Sequence, residues 1–277
     1  MTWVFVNDGL YPQAQAVLGT GDLALQRGYA AFDYFRTRNH RPLFLDDYLD
    51  RFFRSAQALS ITLPLNRAQI IQAIGELMER NAMAESGLRM IATGGYAPDS
   101  YTPGTGNFII QQQALKMPTG AQFQDGLKIA THDYVRDLPQ VKSINYLMGI
   151  WLRQQMKAKG LDDVLYCRNG IVSEFPRANV FIVTREGELA TPCRNVLMGI
   201  TRMKLLQLAP ALLPVRERDV TVQEVETAAE VFMTSTTKRV LPVVEVNGRS
   251  IGNGKAGPMA TSLNQAFLTL EAELAEP

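Results

Sequence analysis

Hydrophobic and polar positions along this chain follow two periods, one of about two residues and one of about 3.6, in alternating blocks. The first block, Trp3–Val6, is apolar and closed by Asn7-Asp8-Gly9, which predicts a strand and a turn. Leu45, Leu49, Phe52, Ala56 and Leu59 then recur at helical spacing, with Asp47, Asp50, Arg51 and Arg54 on the other faces. Asn66 is placed to cap a second helix, with Gln69 three residues on and Ile70, Ile71, Ile74, Leu77 and Met78 behind it. Leu88–Ala92 and Phe108–Gln112 predict further strands.

Past Leu115 the pattern lapses into Lys116-Met117-Pro118-Thr119-Gly120. We place a linker over 115–124, between a domain of residues 1–114 and one of residues 125–277. The second part begins with a strand at Leu127–Thr131 and a helix from about Asn145 to Ala158, which Gly160 stops. Asn169-Gly170, Glu186-Gly187 and Asn247-Gly248 lie between β-prone residues and predict three hairpins. Thr201–Leu208 and Val222–Ala229 predict short helices, and Met259–Leu274 a closing one. Many hairpins with few helices predict a mixed α/β (α+β) chain built on a barrel-like sheet, not on repeated βαβ units.

Composition narrows the partners. The 277 residues are 46% hydrophobic and 20% charged, enough apolar surface for a core and too much for a disordered chain. A balance of 28 basic against 27 acidic side chains gives a field too weak to hold a polyanion, so nucleic acid is not an expected partner. Anion recognition has to come from a few placed arginines. Cys167 and Cys193 form no CxxC pair, and His40 and His132 are the only histidines, so neither a disulfide framework nor a metal site is expected. No run approaches the ~20 apolar residues that span a bilayer. The start of the chain has no basic leader, and the expectation is a cytoplasmic protein without membrane contact.

One motif misleads. Gly252-Asn253-Gly254-Lys255-Ala256-Gly257 fits GxGxxG, but a dinucleotide fold needs a βαβ unit and an acidic residue ~20 positions on. Pro258 is better placed to start the terminal helix, which leaves the glycines as a turn.

Three other features carry chemistry. Lys142 stands just before Ser143-Ile144-Asn145-Tyr146, at the mouth of a helix. It is either a solvated charge or a Schiff-base lysine, made nucleophilic by burial or nearby positive charge. Glu174 follows Ile171-Val172 just after a hairpin turn, and alternation sets it on the opposite face from Ser173. Such a carboxylate is either solvated or faces a heterocyclic nitrogen that it keeps protonated. Met198-Gly199-Ile200-Thr201-Arg202 joins a strand to a helix, where Thr201 is able to cap and the amides of Ile200 and Thr201 to face an anion. A capped helix alone is the other reading. Thr234-Ser235-Thr236-Thr237 adds hydroxyls where Val231-Phe232-Met233 ends.

Glu174-Phe175-Pro176-Arg177-Ala178-Asn179-Val180-Phe181, Leu189-Ala190-Thr191 and Leu197-Met198-Gly199-Ile200-Thr201-Arg202 together resemble the class IV (fold type IV) pyridoxal-phosphate aminotransferases. That family includes D-amino acid and branched-chain aminotransferases. The resemblance extends to Arg27-Gly28-Tyr29, to residues 45–52, to Lys142 and to Phe232–Pro242, nearly the whole chain. It implies a small N-terminal α/β domain, a larger C-terminal pseudo-barrel domain with most cofactor contacts, and a homodimer with its active site at the subunit boundary. Pyridoxal 5′-phosphate is the implied cofactor. Lys142 is implied to form the Schiff base and shuttle the substrate proton, and Glu174 to pair with the pyridine nitrogen. Arg51, Ile200, Thr201, Ser235 and Thr236 are implied to hold the phosphate. Tyr146 is implied near the phenolic oxygen, with a spacing from Lys142 one residue shorter than the branched-chain pattern. Tyr48 stands where many members have histidine.

Substrate carboxylates call for arginine, and three are candidates: Arg27 in a loop, Arg89 in the strand Leu88–Ala92 and Arg177 beside Glu174. Arg89 is as readily an outward-facing surface residue. Familiar D-amino acid enzymes carry arginine and histidine where Thr93-Gly94-Gly95-Tyr96 stands here, and tyrosine at Phe32. Branched-chain enzymes typically have an apolar residue or glutamate, not arginine, at the position of Arg177. The chain therefore resembles a divergent, arginine-rich group of D-amino acid aminotransferases. Arg89 and Arg177, with Arg27 of the neighbouring subunit, would bind D-glutamate or D-alanine and 2-oxoglutarate. The alternatives are an L-branched-chain aminotransferase and, within the family, an aminodeoxychorismate lyase.

Overall fold

The structure, a computed structural model, describes residues 2–276. The backbone forms two compact units: one takes residues up to Leu115, Val141–Asn145 and the residues from Leu274, the other Lys116–Gln140 and Tyr146–Glu273.

The first unit holds β1 (Trp3–Val6), β2 (Gly9–Pro12), α1 (Leu23–Arg27), β3 (Ala30–Arg38), β4 (Arg41–Pro42), α2 (Leu45–Ala58), α3 (Arg67–Asn81), β5 (Ser86–Thr93) and β6 (Phe108–Ala114). Its strands make one antiparallel sheet in the order β2-β1-β6-β5-β3-β4. The apolar stripe of α2 is buried through Tyr48, Leu49, Phe52 and Ala56, and α3 buries Ile70, Ile74, Leu77 and Met78. Asn66 and Gln69 form the expected reciprocal cap of α3. His40 lies with Asn39 in the β3–β4 turn, both at positive φ. Lys142 belongs to this unit, because its segment is stitched to β3: Phe32 N–H donates to Lys142 O at 2.9 Å and Ile144 N–H to Ala30 O at 3.0 Å.

The second unit holds α4 (Gly120–Asp125), β7 (Leu127–Asp133), α5 (Leu147–Ala158), β8 (Asp163–Arg168), β9 (Ile171–Val172), β10 (Asn179–Val183), β11 (Leu189–Thr191), α6 (Ile200–Leu208), β12 (Val215–Glu217), α7 (Val222–Thr227), β13 (Glu230–Ser235), β14 (Arg239–Val246), β15 (Arg249–Ser250) and α8 (Pro258–Ala275). The stretch 115–124 thus contains most of a short helix, capped reciprocally by Thr119 and Gln122. Nine strands form one sheet in the order β12-β11-β10-β13-β14-β7-β8-β9, with β15 on β14. β7 runs parallel to both β14 and β8, and β11 to β12; the other pairs are antiparallel. Phe181 and Phe232 stack at 5.5 Å between β10 and β13, both wholly buried. Each contributes roughly 2–3 kcal/mol by burial, which makes these strands a firm base for the residues at their ends.

Candidate active site

In the first unit the Lys142 N–H donates to Ser55 Oγ at 3.1 Å, and its Nζ lies 4.5 Å from the centre of the Phe32 ring. Phe32, Tyr34 and the cross-strand residue Arg89 share one face of the sheet, since Tyr34 pairs with Arg89 in register. The Arg89 guanidinium lies 6.0 Å from the Phe32 ring and 5.9 Å from the Tyr34 ring. Arg89 is exposed, and it flanks the same ring that Lys142 covers. On the opposite face Asp33, fully buried, takes two hydrogen bonds from Arg51, from Nε at 2.9 Å and from an η nitrogen at 2.7 Å. The Arg51 guanidinium also stands 5.3 Å from the Tyr48 ring.

In the second unit Glu174 is 4% exposed. Arg136 Nε donates to its Oε1 at 2.7 Å, Leu197 N–H to its Oε2 at 2.9 Å, and Arg136 also donates to Pro139 O at 2.6 Å. The expected alternation of Ser173 and Glu174 is not kept. Ser173 N–H donates to Tyr166 O and Tyr166 N–H to Glu174 O, so two residues face one and the ladder bulges. Both side chains are buried as a result. Tyr166 meets Tyr134 edge to face, with ring centres 5.0 Å apart, and burial holds its phenol well above the usual range.

α6 starts at Ile200, with Gly199 as N-cap, so Thr201 is the second helical residue and not the cap. No side chain caps this helix, and its first amides are left available to an anion. A Cβ at position 199 would collide with Asn179 Oδ1, so only glycine lets Asn179 and the helix start approach this closely. Asn179 pairs across the sheet with Thr234, whose Oγ1 is buried and has no hydrogen-bond partner among the described residues. Ser235 ends β13 and Thr236 begins the following turn, both half-buried.

The structure brings Glu174 beside the Phe175–Ala178 turn that exposes Arg177, and Tyr146, at the N-cap of α5, lines the same cleft as Arg177. Arg27 is not in a loop but ends α1, exposed, with Nε donating to Ser100 O at 3.3 Å. Sequence reasoning missed Asp33 and Arg136. Asp33 was detectable as a lone carboxylate in the apolar strand Ala30–Phe35, which demands a buried partner; Arg136 lies in a loop without any such signal. The GxGxxG stretch is a turn before α8, and the N-terminal amides of that helix, Met259 and Ala260, are taken at 2.9 Å by Glu230. Among the described residues no group of His, Cys, Asp and Glu is arranged to hold a metal, and no helix is long and apolar enough to cross a membrane.

The sequence profile of the family Amino-transferase class IV matches residues 30–246. The chain is 30% identical over 270 residues to a D-alanine aminotransferase of Bacillus licheniformis, with 95% of each chain covered. It is also 30% identical over 275 residues to a putative branched-chain-amino-acid aminotransferase of Methanocaldococcus jannaschii, covering 95% of this chain and 94% of that one. The backbone matches a T.th. branched-chain amino acid aminotransferase, solved with pyridoxamine 5′-phosphate, at a TM-score of 0.92 and 24% identity over 100% of this chain and 95% of that chain. The chain belongs to the class IV aminotransferase family. Its fold is fold type IV, and pyridoxal 5′-phosphate is the cofactor on which the family depends.

Proposed function

We propose that this aminotransferase moves the amino group of a D-amino acid, such as D-glutamate or D-alanine, to a 2-oxo acid such as 2-oxoglutarate. The observation that carries the reading is the buried Glu174 carboxylate, fixed by Arg136 and Leu197, three residues before an exposed arginine on the adjoining turn. The D-alanine aminotransferase relative supports the same direction.

The residues present fit the cofactor: an uncapped helix start, its Gly199 N-cap packed against Asn179, and the buried Thr234 hydroxyl, without a hydrogen-bond partner among the described residues, on the strand position paired with Asn179. Ile200, Thr201, Ser235 and Thr236 would hold the phosphate through amides and hydroxyls, and Arg51 through charge-assisted bonds. When bound, pyridoxal phosphate supplies an electron-withdrawing ring that accepts the negative charge left at the substrate Cα. Lys142 Nζ would hold the cofactor and would carry the proton taken from the substrate Cα. Glu174 would hold a proton at the ring nitrogen, and Tyr146 would lie beside the phenolic oxygen. Arg89 and Arg177, with Arg27 from a second copy, would bind the substrate carboxylates.

A homodimer goes with this reading. Leu147, Ile150 and Trp151, three and four residues apart on α5, are 78%, 65% and 56% exposed, an apolar face that a second copy would cover. Both cysteines are free, as a reducing cytoplasm would keep them. A second reading, transamination of L-branched-chain amino acids, is favoured by the Methanocaldococcus jannaschii relative. A half-reaction screen of D- and L-amino acids, followed by spectral conversion to the pyridoxamine form, separates them. D-glutamate and D-alanine are expected to react fastest; faster conversion with L-leucine overturns the D-amino acid reading.

A further inference from the structure

Two cations beside the Glu174 turn have no part in the chemistry above. Lys238 closes the turn that carries Ser235 and Thr236, its N–H donating to Ser235 O at 3.2 Å. Its Nζ lies 3.6 Å from Asp163 Oδ2, with the side chain 21% exposed. Burial pushes this ammonium below the usual lysine range, Asp163 pulls it back up, and the charges of Arg177 and Arg153 lower it again. Arg153, Arg177 and Asp163 line one solvent-open cleft of about 90 Å³, walled also by Tyr146 and Pro176. The remaining acid of the cleft, Asp162, accepts the Lys128 N–H at 2.8 Å.

Three positive side chains from three separate elements thus converge around Asp163. Like charges gathered in a partly desolvated space repel one another, and an anion entering among them relieves that repulsion. Arg153 and Arg177 present planar forks suited to a carboxylate, and Lys238 adds a point charge behind the cleft wall at Asp163, 3.6 Å from its Oδ2. Asp163 neutralises the lysine while no ligand is present. We propose that this cleft receives the side-chain carboxylate of a dicarboxylic amino acid or 2-oxo acid, with Arg153 and Lys238 as specificity-determining residues beside Arg177. The proposal rests on the transaminase reading and extends it by naming the groups that favour dicarboxylates over monocarboxylates.

Arg153 is exposed, so its replacement spares the fold. In Arg153→Ala and Lys238→Met holoenzymes, KM for 2-oxoglutarate is expected to rise about tenfold, the loss of one charged hydrogen bond, with KM for pyruvate moving less than about twofold. Arg153→Lys should recover part of the loss. Glutarate, a dicarboxylate with no amino or oxo group to react, should bind the wild-type protein more tightly than butyrate in calorimetric titration, and Arg153→Ala should abolish that preference. Equal losses for both oxo acids, or unchanged glutarate binding in Arg153→Ala, overturn the subsite. If the wild type turns over neither oxo acid, the transaminase reading fails instead, and the glutarate titration still decides the subsite.

Discussion

Arg136 donates its Nε–H to Glu174 Oε1 at 2.7 Å, and the two side chains are only 9% and 5% exposed. Each charge is therefore compensated by its partner and not by water. Removing one member strands the other: Arg136→Met is expected to cost about 3 kcal/mol or more, read from urea denaturation. The double variant Arg136→Met, Glu174→Met should cost less than the sum of the singles. A loss under about 1 kcal/mol for Arg136→Met would place the pair in solvent, where such bridges contribute little.

Burial also separates two ion pairs of the first unit. Arg51 and Asp33 are 6% and 0% exposed, whereas Arg67 and Asp46 pair at a similar distance with 38% and 87% exposed. Asp33→Ala should destabilise by roughly 3–5 kcal/mol and Asp46→Ala by less than about 1 kcal/mol. Arg51→Lys keeps the charge but loses the two-pronged contact with Asp33, so it too should lower the thermal midpoint. Equal effects at positions 33 and 46 would show that desolvation is not what distinguishes them.

Much of this was legible in the sequence, and the limits have physical causes. The α3 cap and the three Asn-Gly or Glu-Gly hairpins depend on contacts within a few residues, and each forms where the local pattern places it. The Glu174 and Met198–Arg202 motifs each had an ordinary structural reading alone and stood out only together, as the spaced set that resembles the class IV aminotransferases. Alternation failed at Ser173 and Glu174, because a bulge opposite Tyr166 is set by hydrogen bonding across strands and leaves no local mark. Position along the chain put Lys142 with residues 125–277, whereas the backbone groups Val141–Asn145 with the first unit. Its segment pairs with β3, over a hundred residues earlier, and only the folded backbone reveals such an interaction. Arg136 escaped for the same reason, since its partner lies 38 residues away.

The two thiols should differ in reactivity. Cys167 is 8% exposed, burial pushes its thiol pKa up, and its Sγ–H points to His132 O at 3.6 Å. Thiolate is the reactive form, so burial and the raised pKa act together against it. In the native protein a disulfide reagent should label Cys193 first and reach Cys167 only on unfolding, as mass spectrometry of the labelled peptides would show. Prompt labelling of Cys167 would mean that β8 opens readily.

Asp99 gives a pH prediction with a definite sign. Its carboxylate accepts from Thr102 Oγ1 at 2.6 Å, Thr102 N–H at 2.8 Å and Tyr101 N–H at 2.9 Å. The Thr102 hydroxyl first, then the two amides, hold its pKa down from 3.8 to about 2. A depressed carboxylate stabilises the turn fully above its unfolded value and loses that effect as pH falls through the folded one. The turn at residues 99–102 should therefore stay formed at about pH 4 and loosen towards about pH 2. An NMR titration of the Asp99 carboxyl carbon with a midpoint near its ordinary, unfolded value would contradict these hydrogen bonds.

Gly199 offers the most direct test of the helix start as a phosphate seat. A methyl group there would overlap Asn179 Oδ1, and Asn179 cannot swing away freely because its Nδ2 donates to Leu197 O at 2.8 Å. The helix start must shift instead, carrying the amides of Ile200 and Thr201 with it. Gly199→Ala should cost about 1–3 kcal/mol in stability, the range for overpacked sites. It should also weaken cofactor binding about tenfold, read by fluorescence titration of the apoprotein with pyridoxal phosphate. Trimming the obstacle with Asn179→Ala in the same chain should restore part of the affinity, because the two positions are in contact and their effects do not add. Unchanged cofactor affinity in Gly199→Ala would move the phosphate away from the first turn of α6.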